Sequence, residues 1–217
     1  MTEIKPPVHF SVVLDRSGSM ASIADDIVGG FNEYLVRQQA EPGEARVTLI
    51  QFDGQDPFEV LVDGLDVKQV RPLTRESYQP RGNTPLFDAV GRMIARIDTD
   101  LAHRKRYAMP AEDQVVVVIT DGLENASREH DRASIFALVE QKRTEGWVFV
   151  FLGADQDAYA EGTRMGVVGT NTAQWQKSPA GVKKMYGDLA YSSLEHRRKP
   201  AAQRERDADR FHQEEGK

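Results

Sequence analysis

Apolar positions along the chain fall into two alternating rhythms. Val8 to Leu14 (VHFSVVL) is a nearly unbroken apolar run that stops at Asp15, the pattern of a strand buried on both faces. Ile23, Ile27, Phe31, Tyr34 and Leu35 then recur at helical spacing, and Pro42-Gly43 closes that helix. Arg46 to Phe52 (RVTLIQF) predicts a second strand, and Phe58 to Val62 a third, bracketed by Asp56-Pro57 and Asp63-Gly64. Residues 66 to 85 form a polar connection. Leu86, Val90, Met93, Ile94, Ile97 and Leu101 mark the next helix, and Thr84-Pro85 is a natural start for it, because a proline at the first helical position has no N–H to leave unpaired. Gln114 to Thr120 (QVVVVIT) is β-branched without a break from Val115. Ala133 to Arg143 predicts a helix, Gly146 ends it, and Val148 to Leu152 (VFVFL) follows as a strand. Asp155 is a candidate cap for a short helix ending at Gly166, Val167-Val168 a candidate last strand, and Ser178-Pro179 the start of a final helix with Val182, Met185, Tyr186 and Leu189 on one face.

Alternating strands and helices predict an α/β fold: a doubly wound, Rossmann-like, mainly parallel sheet with helices on both faces. The link between the second and third strands is too short for a helical crossover, so that pair is expected to be antiparallel. The domain is expected to span residues 1–195. From His196 the chain is nearly all polar and charged, which predicts a tail over 196–217 that is either a solvated helix or disordered.

Composition narrows the chemistry more than the fold. The absence of cysteine removes disulfides, thiolate metal sites and cysteine nucleophiles, and fits a reducing compartment. Met1 to Pro7 shows no apolar leader, and the longest apolar run, Trp147 to Leu152, is far too short to cross a bilayer, so a cytoplasmic protein without membrane contact is expected. A net charge of −6 argues against a nucleic-acid partner.

In a doubly wound sheet, ligands sit beyond the carboxyl ends of the strands. Two strands end in an aspartate there: the first leads into Asp15-Arg16-Ser17-Gly18-Ser19, and QVVVVIT into Asp121-Gly122. Gly82-Asn83-Thr84-Pro85 opens the second major helix at the same edge. Two carboxylates and three hydroxyls, with neither sulfur nor imidazole, suit a hard divalent cation, Mg²⁺ first and Mn²⁺ or Ca²⁺ as alternatives. Each residue also has a plainer reading: Asp121-Gly122 as a turn, Ser17, Ser19 or Thr84 as a helix cap. Asp53, Asp56, Glu124 and Asn125 are candidates to lie near the same edge, with Asn125 a possible support for Asp121. Arg16 is expected to face solvent or an acidic partner. The five histidines show no metal-ligand spacing.

Taken together, Asp-Arg-Ser-Gly-Ser, GNTPLFDAV and VVVVITDGLENAS resemble the motifs of the von Willebrand factor A domains over about residues 8 to 190. The resemblance implies a metal-ion-dependent adhesion site made of Asp15, Ser17, Ser19, Thr84 and Asp121. Ser17 and Ser19 would bind the ion directly, Thr84 directly or through water, and Asp15 and Asp121 through bound waters. The remaining position would be left to water or to a Glu or Asp of a protein partner. Stand-alone bacterial domains of this kind work beside AAA+ ATPases, in stress-response systems or in phage-related clusters. A haloacid-dehalogenase reading fails at Ser17, where a second aspartate is required; phosphate-binding glycine loops and a nucleophile elbow are also missing. The expectation is therefore a non-enzymatic, metal-dependent binding module. The alternatives are a metal-dependent phosphoesterase-like enzyme using the same oxygens, or a scaffold with a purely structural metal.

Overall fold

The computed structural model describes residues 5–154 and 158–216. Its sheet has the order β3-β2-β1-β4-β5-β6, with β1 at Val8–Asp15, β2 at Ala45–Phe52, β3 at Glu59–Asp66, β4 at Asp113–Thr120, β5 at Val148–Ala154 and β6 at Thr172–Trp175. All neighbours run parallel except β2 and β3, which are antiparallel with register shifts near Leu49. β1 and β4 lie side by side at the centre, where the winding direction reverses, and every residue of β1 is buried. The period of two then sorts their side chains. Phe10, Val12 and Leu14 of β1, with Val115, Val117 and Ile119 of β4, face one helical layer; Val13, Val116 and Val118 face the other.

The first layer holds α1 (Ala24–Ala40) and α5 (Pro179–Arg198). These two approach closely because α1 carries Gly30 at the crossing: a Cβ there would sit 2.3 Å from the ring of Tyr186. The second layer holds α2 (Leu86–Arg106), α3 (Arg132–Thr144) and α4 (Ala158–Arg164). The capping position of α2 is Pro85 rather than Thr84, so its first helical residue is Leu86. Ser178 caps α5, accepting a bond from the Gly181 N–H at 3.1 Å. Among the described residues, no helix is long and apolar enough to cross a membrane.

Val167-Val168 is not a strand. Gly166, at φ +84°, ends α4, with its N–H on Thr163 O at 3.0 Å and the Val167 N–H on Gly162 O at 2.9 Å. That is the paired bonding of a left-handed helix stop, and the valine is the apolar residue that such a stop tucks inward. α3 ends in the same way, through Gly146 and Trp147. The last strand lies instead at Thr172–Trp175, on the sheet's edge beside β5. Asp155 falls outside the described residues.

The segment after α5 folds back on the domain. α6 (Ala201–Arg206) buries Arg204, which donates to Pro6 O, Lys199 O, Arg197 O and the Asp113 carboxylate. Phe211 is buried against the His196 ring, 5.2 Å between centroids. Beyond it the backbone is held by side chains: Asn171 Oδ1 accepts from the N–H of Phe211 and His212, Ser192 Oγ from Gln213, and Asp188 Oδ1 from Glu215. A polar pattern concealed this packing because a single aromatic residue anchors it.

Two interior histidines make stability pH-dependent. Burial pushes His196 down to about 3 and, helped by the charge of Arg46, His9 down to about 4. The unfolded chain takes up protons below about pH 6.5 that the native rings refuse, so stability falls as pH drops through that value. Asp15 acts in the opposite sense, since its raised value lets the native state bind a proton first. Replacing His196 with Leu removes one ring's share alone: between pH 7 and pH 5 the variant should lose about 2 kcal/mol less than the parent in urea unfolding. Parallel pH profiles for the two proteins would contradict this.

Candidate metal centre

Three loops meet at the carboxyl ends of β1 and β4. The first, 15–19, leaves β1 and is stitched to the loop before α2 by Gly18 N–H on Gly82 O (3.0 Å) and Arg81 N–H on Arg16 O (2.9 Å). Gly82 sits at φ +67°, a conformation that favours glycine, and a Cβ there would stand 3.2 Å from Gly54 N. The third loop, 121–131, is clamped to the second: Thr84 N–H donates to Asn125 Oδ1 (2.9 Å), and Asn125 N–H to Thr84 O (3.1 Å). Asn125 thus supports Thr84 rather than Asp121. Glu124 caps the same junction, accepting from the N–H groups of Phe87, Ala126 and Ser127.

All five oxygen-bearing residues singled out in the sequence come to this crest. Asp15 is fully buried; its Oδ1 accepts from Ser17 N–H at 2.6 Å and its Oδ2 from Thr120 Oγ1 at 2.6 Å. Ser17 Oγ lies 3.0 Å from Ser19 Oγ, and Ser19 Oγ donates to Asp121 Oδ1 at 2.5 Å. Thr84 is buried beside Gly122, where a Cβ would stand 3.2 Å from Thr84 Oγ1 and 3.9 Å from Asp15 Oδ2. The absence of a side chain at 122 therefore lets the Asp121 loop close over Thr84. Ser17 makes no side-chain capping bond to the short 3-10 helix that follows it, and Thr84 stands one residue outside the cap of α2. The plainer capping readings of these two residues are not realised.

Burial pushes the Asp15 carboxyl up to about 6, against the hydrogen bonds of Thr120 and Ser17 and with help from the nearby charge of Asp121. A cation held against this pair would reverse that cost. The donor set, two buried carboxylates and three hydroxyls without sulfur or nitrogen, fits a hard divalent ion.

Sequence reasoning missed several participants. Tyr78 donates its hydroxyl to Asp15 O at 2.6 Å and fixes the end of β1. Thr120 orients Asp15 from the neighbouring strand. Lys177, between β6 and α5, places Nζ 2.6 Å from Asp121 Oδ2. The strand-end rule would have found Lys177 had the last strand been placed correctly. Arg16 neither faces solvent nor stands free: it is buried on Asp53 (Nε to Oδ2, 2.7 Å) and Glu59. Arg81 joins Asp53 as well, at 3.0 Å, so the charge of Asp53 is matched beside the site.

A second cluster lies toward the opposite end of β1, where His9, Asp100 and Glu112 bring ligand atoms within 4.8 Å of one another. Arg46 already donates to both carboxylates, at 2.9 and 2.8 Å, and Arg104 pairs with Glu112 at 3.0 Å. These guanidinium groups satisfy the acids and make the cluster a structural one.

A central reversal point in a doubly wound sheet, crowned by hydroxyls and carboxylates from three loops, defines an α/β domain with an oxygen-ligand crest. The family model for the von Willebrand factor type A domain matches residues 11–175, and the chain belongs to this family. Solved structures agree in fold. The chain resembles a von Willebrand factor type A protein from Catenulispora acidiphila (13% identity, TM-score 0.57, covering 87% of this chain and 43% of that one). It also resembles proximal thread matrix protein 1 of the mussel byssus, solved with a zinc-occupied metal-ion-dependent adhesion motif (14%, 0.58, 89% and 47%). A third likeness is to the manganese-loaded TRAP protein of Plasmodium vivax (14%, 0.52, 85% and 74%). The chain spans less than half the length of the first two of these proteins. No curated protein matches it. Domains of this family are generally interaction modules.

Proposed function

We propose that this protein is a metal-dependent binding module, not an enzyme, that grips a protein partner through a divalent ion. Asp15, Ser17, Ser19, Thr84 and Asp121 would hold the ion, with Mg²⁺ the expected occupant and Mn²⁺ or Ca²⁺ able to substitute. The binding unit spans 1–195, with 196–217 as its C-terminal extension. The observation that carries the reading is the convergence of five oxygen-bearing side chains from three separate loops, with Ser17, Ser19 and Asp121 linked at 2.5–3.0 Å. Metal-occupied relatives of the same fold support it. Few charged groups would touch the ion directly, so it would stay electrophilic, and an acidic side chain from the partner could replace a bound water.

We further place the protein in the bacterial cytoplasm, as an adaptor in a stress-response, AAA+-associated or phage-related system, with neither nucleic acid nor membrane among its ligands. The test is capture of a partner by immobilised protein with Mg²⁺ present. Capture should be lost with chelator and with Asp121→Ala. Equal capture in all three conditions would move the binding face elsewhere, and metal-dependent turnover of a generic phosphoester would replace the reading with a catalytic one.

A further inference from the structure

Both oxygens of the Asp121 carboxylate are engaged, and not in the same way. Oδ1 takes the Ser19 hydroxyl, one of the five site residues; Oδ2 takes the ammonium of Lys177, at 2.6 Å. The Asp121 side chain is wholly shielded from solvent, whereas that of Lys177 is 26% exposed, so the ammonium covers the carboxylate from the open side. Its backbone is fixed on both flanks. Trp175 anchors the end of β6 through Nε1 to Leu152 O (3.1 Å), Ser178 N–H turns back to Gln176 O (2.8 Å), and Ser178 caps α5. The lysine is thus presented to Asp121 by a rigid turn.

We propose that Lys177 is a sixth determinant of the metal centre, a tethered cation that contests Asp121 with the divalent ion and sets how tightly that ion is held. This rests on the metal-binding reading above. A divalent ion at the five oxygens and an ammonium on Asp121 Oδ2 would be like charges a few ångströms apart in a shielded crest, where repulsion is little screened. Loading the ion therefore requires Lys177 to withdraw or to share Asp121.

The experiment is calorimetric titration of the full chain with Mn²⁺ and with Mg²⁺, comparing the parent, Lys177→Gln, Lys177→Arg and Asp15→Ala. Lys177→Gln should bind the ion about tenfold more tightly, and Lys177→Arg, which keeps the charge, should stay close to the parent. Unchanged or weaker affinity in Lys177→Gln, with the parent binding normally and Asp15→Ala binding nothing, would overturn the role of Lys177 and leave the metal centre standing. Failure of every protein to bind either ion would overturn the metal centre and this proposal with it. Because Lys177 is partly exposed and lies in no helix or strand, Lys177→Met offers a second neutral variant if the glutamine alters folding; it too must bind more tightly.

Discussion

Saturating Mg²⁺ or Mn²⁺ should raise the Tm of the wild-type protein by roughly 5–10 °C, and Asp15→Ala should show no rise. A ligand that binds only the native state, present at a hundredfold over its Kd, stabilises by about 2.7 kcal/mol, and a chain of this size shifts by about 2–4 °C per kcal/mol. Asp15 is the residue on which the effect should turn. It is fully buried, its oxygens are oriented by Ser17 and Thr120, and burial, with the charge of Asp121 nearby, pushes its carboxyl up to about 6. Alanine removes half the carboxylate charge at the crest and unpins the first loop. A differential scanning measurement with and without metal decides it. An equal rise in both proteins would place the ion elsewhere.

Asp88→Ala should destabilise the fold by about 3 kcal/mol, the loss of three hydrogen bonds to a buried charged acceptor. Asp88, in the first turn of α2, accepts from the N–H groups of Arg128 (2.8 Å), Glu129 (2.9 Å) and His130 (2.9 Å). Burial would raise its pKa, but these three donors outweigh burial and hold the carboxyl below its usual value. Its contribution is therefore present at neutral pH and lost as pH falls through the carboxylate range. Asp88→Asn keeps the oxygen that serves Glu129 and His130 and should cost about a third as much. Urea unfolding of the two variants checks the ordering. If Asp88→Ala lies within 1 kcal/mol of the parent, roughly the size of an ordinary neutral hydrogen bond, then Asp88 is not what holds the 121–131 loop.

Much of this was legible in the chain because the central strands write their burial on both faces. VHFSVVL and QVVVVIT have no polar side to hide, and the aspartates that follow them stand out against that background. β6 was illegible for the complementary reason. TAQW is only four residues long and lies at the sheet's edge, while the apolar Val167-Val168 nearby belongs to a helix stop. Placing the five site residues took the strand-end rule for the loops at Asp15 and Asp121, a helix start for Thr84 and the resemblance to the family's motifs for the set as a whole. Seeing Tyr78 and Thr120 needed separations of 63 and 105 residues along the chain to close in space, which no local pattern encodes, and seeing Lys177 needed the end of β6. The packed tail was hidden by its own charge, since much of its buried contact is made by arginine side chains and by N–H groups, with Phe211 the one aromatic anchor.

That last feature bears on how the sequence is free to change. The segment from Phe211 to Glu215 is recognised by Asn171, Ser192 and Asp188 through N–H groups that nearly every amino acid possesses. Glu214 pairs with Lys184 and Glu215 with Arg37, surface ion pairs of small energetic weight. Position 215, exposed and held through its N–H, can therefore change widely without leaving its path. Proline is refused at 211, 212, 213 and 215, and beside the buried Phe211 the tail's route is written in three residues that lie outside it.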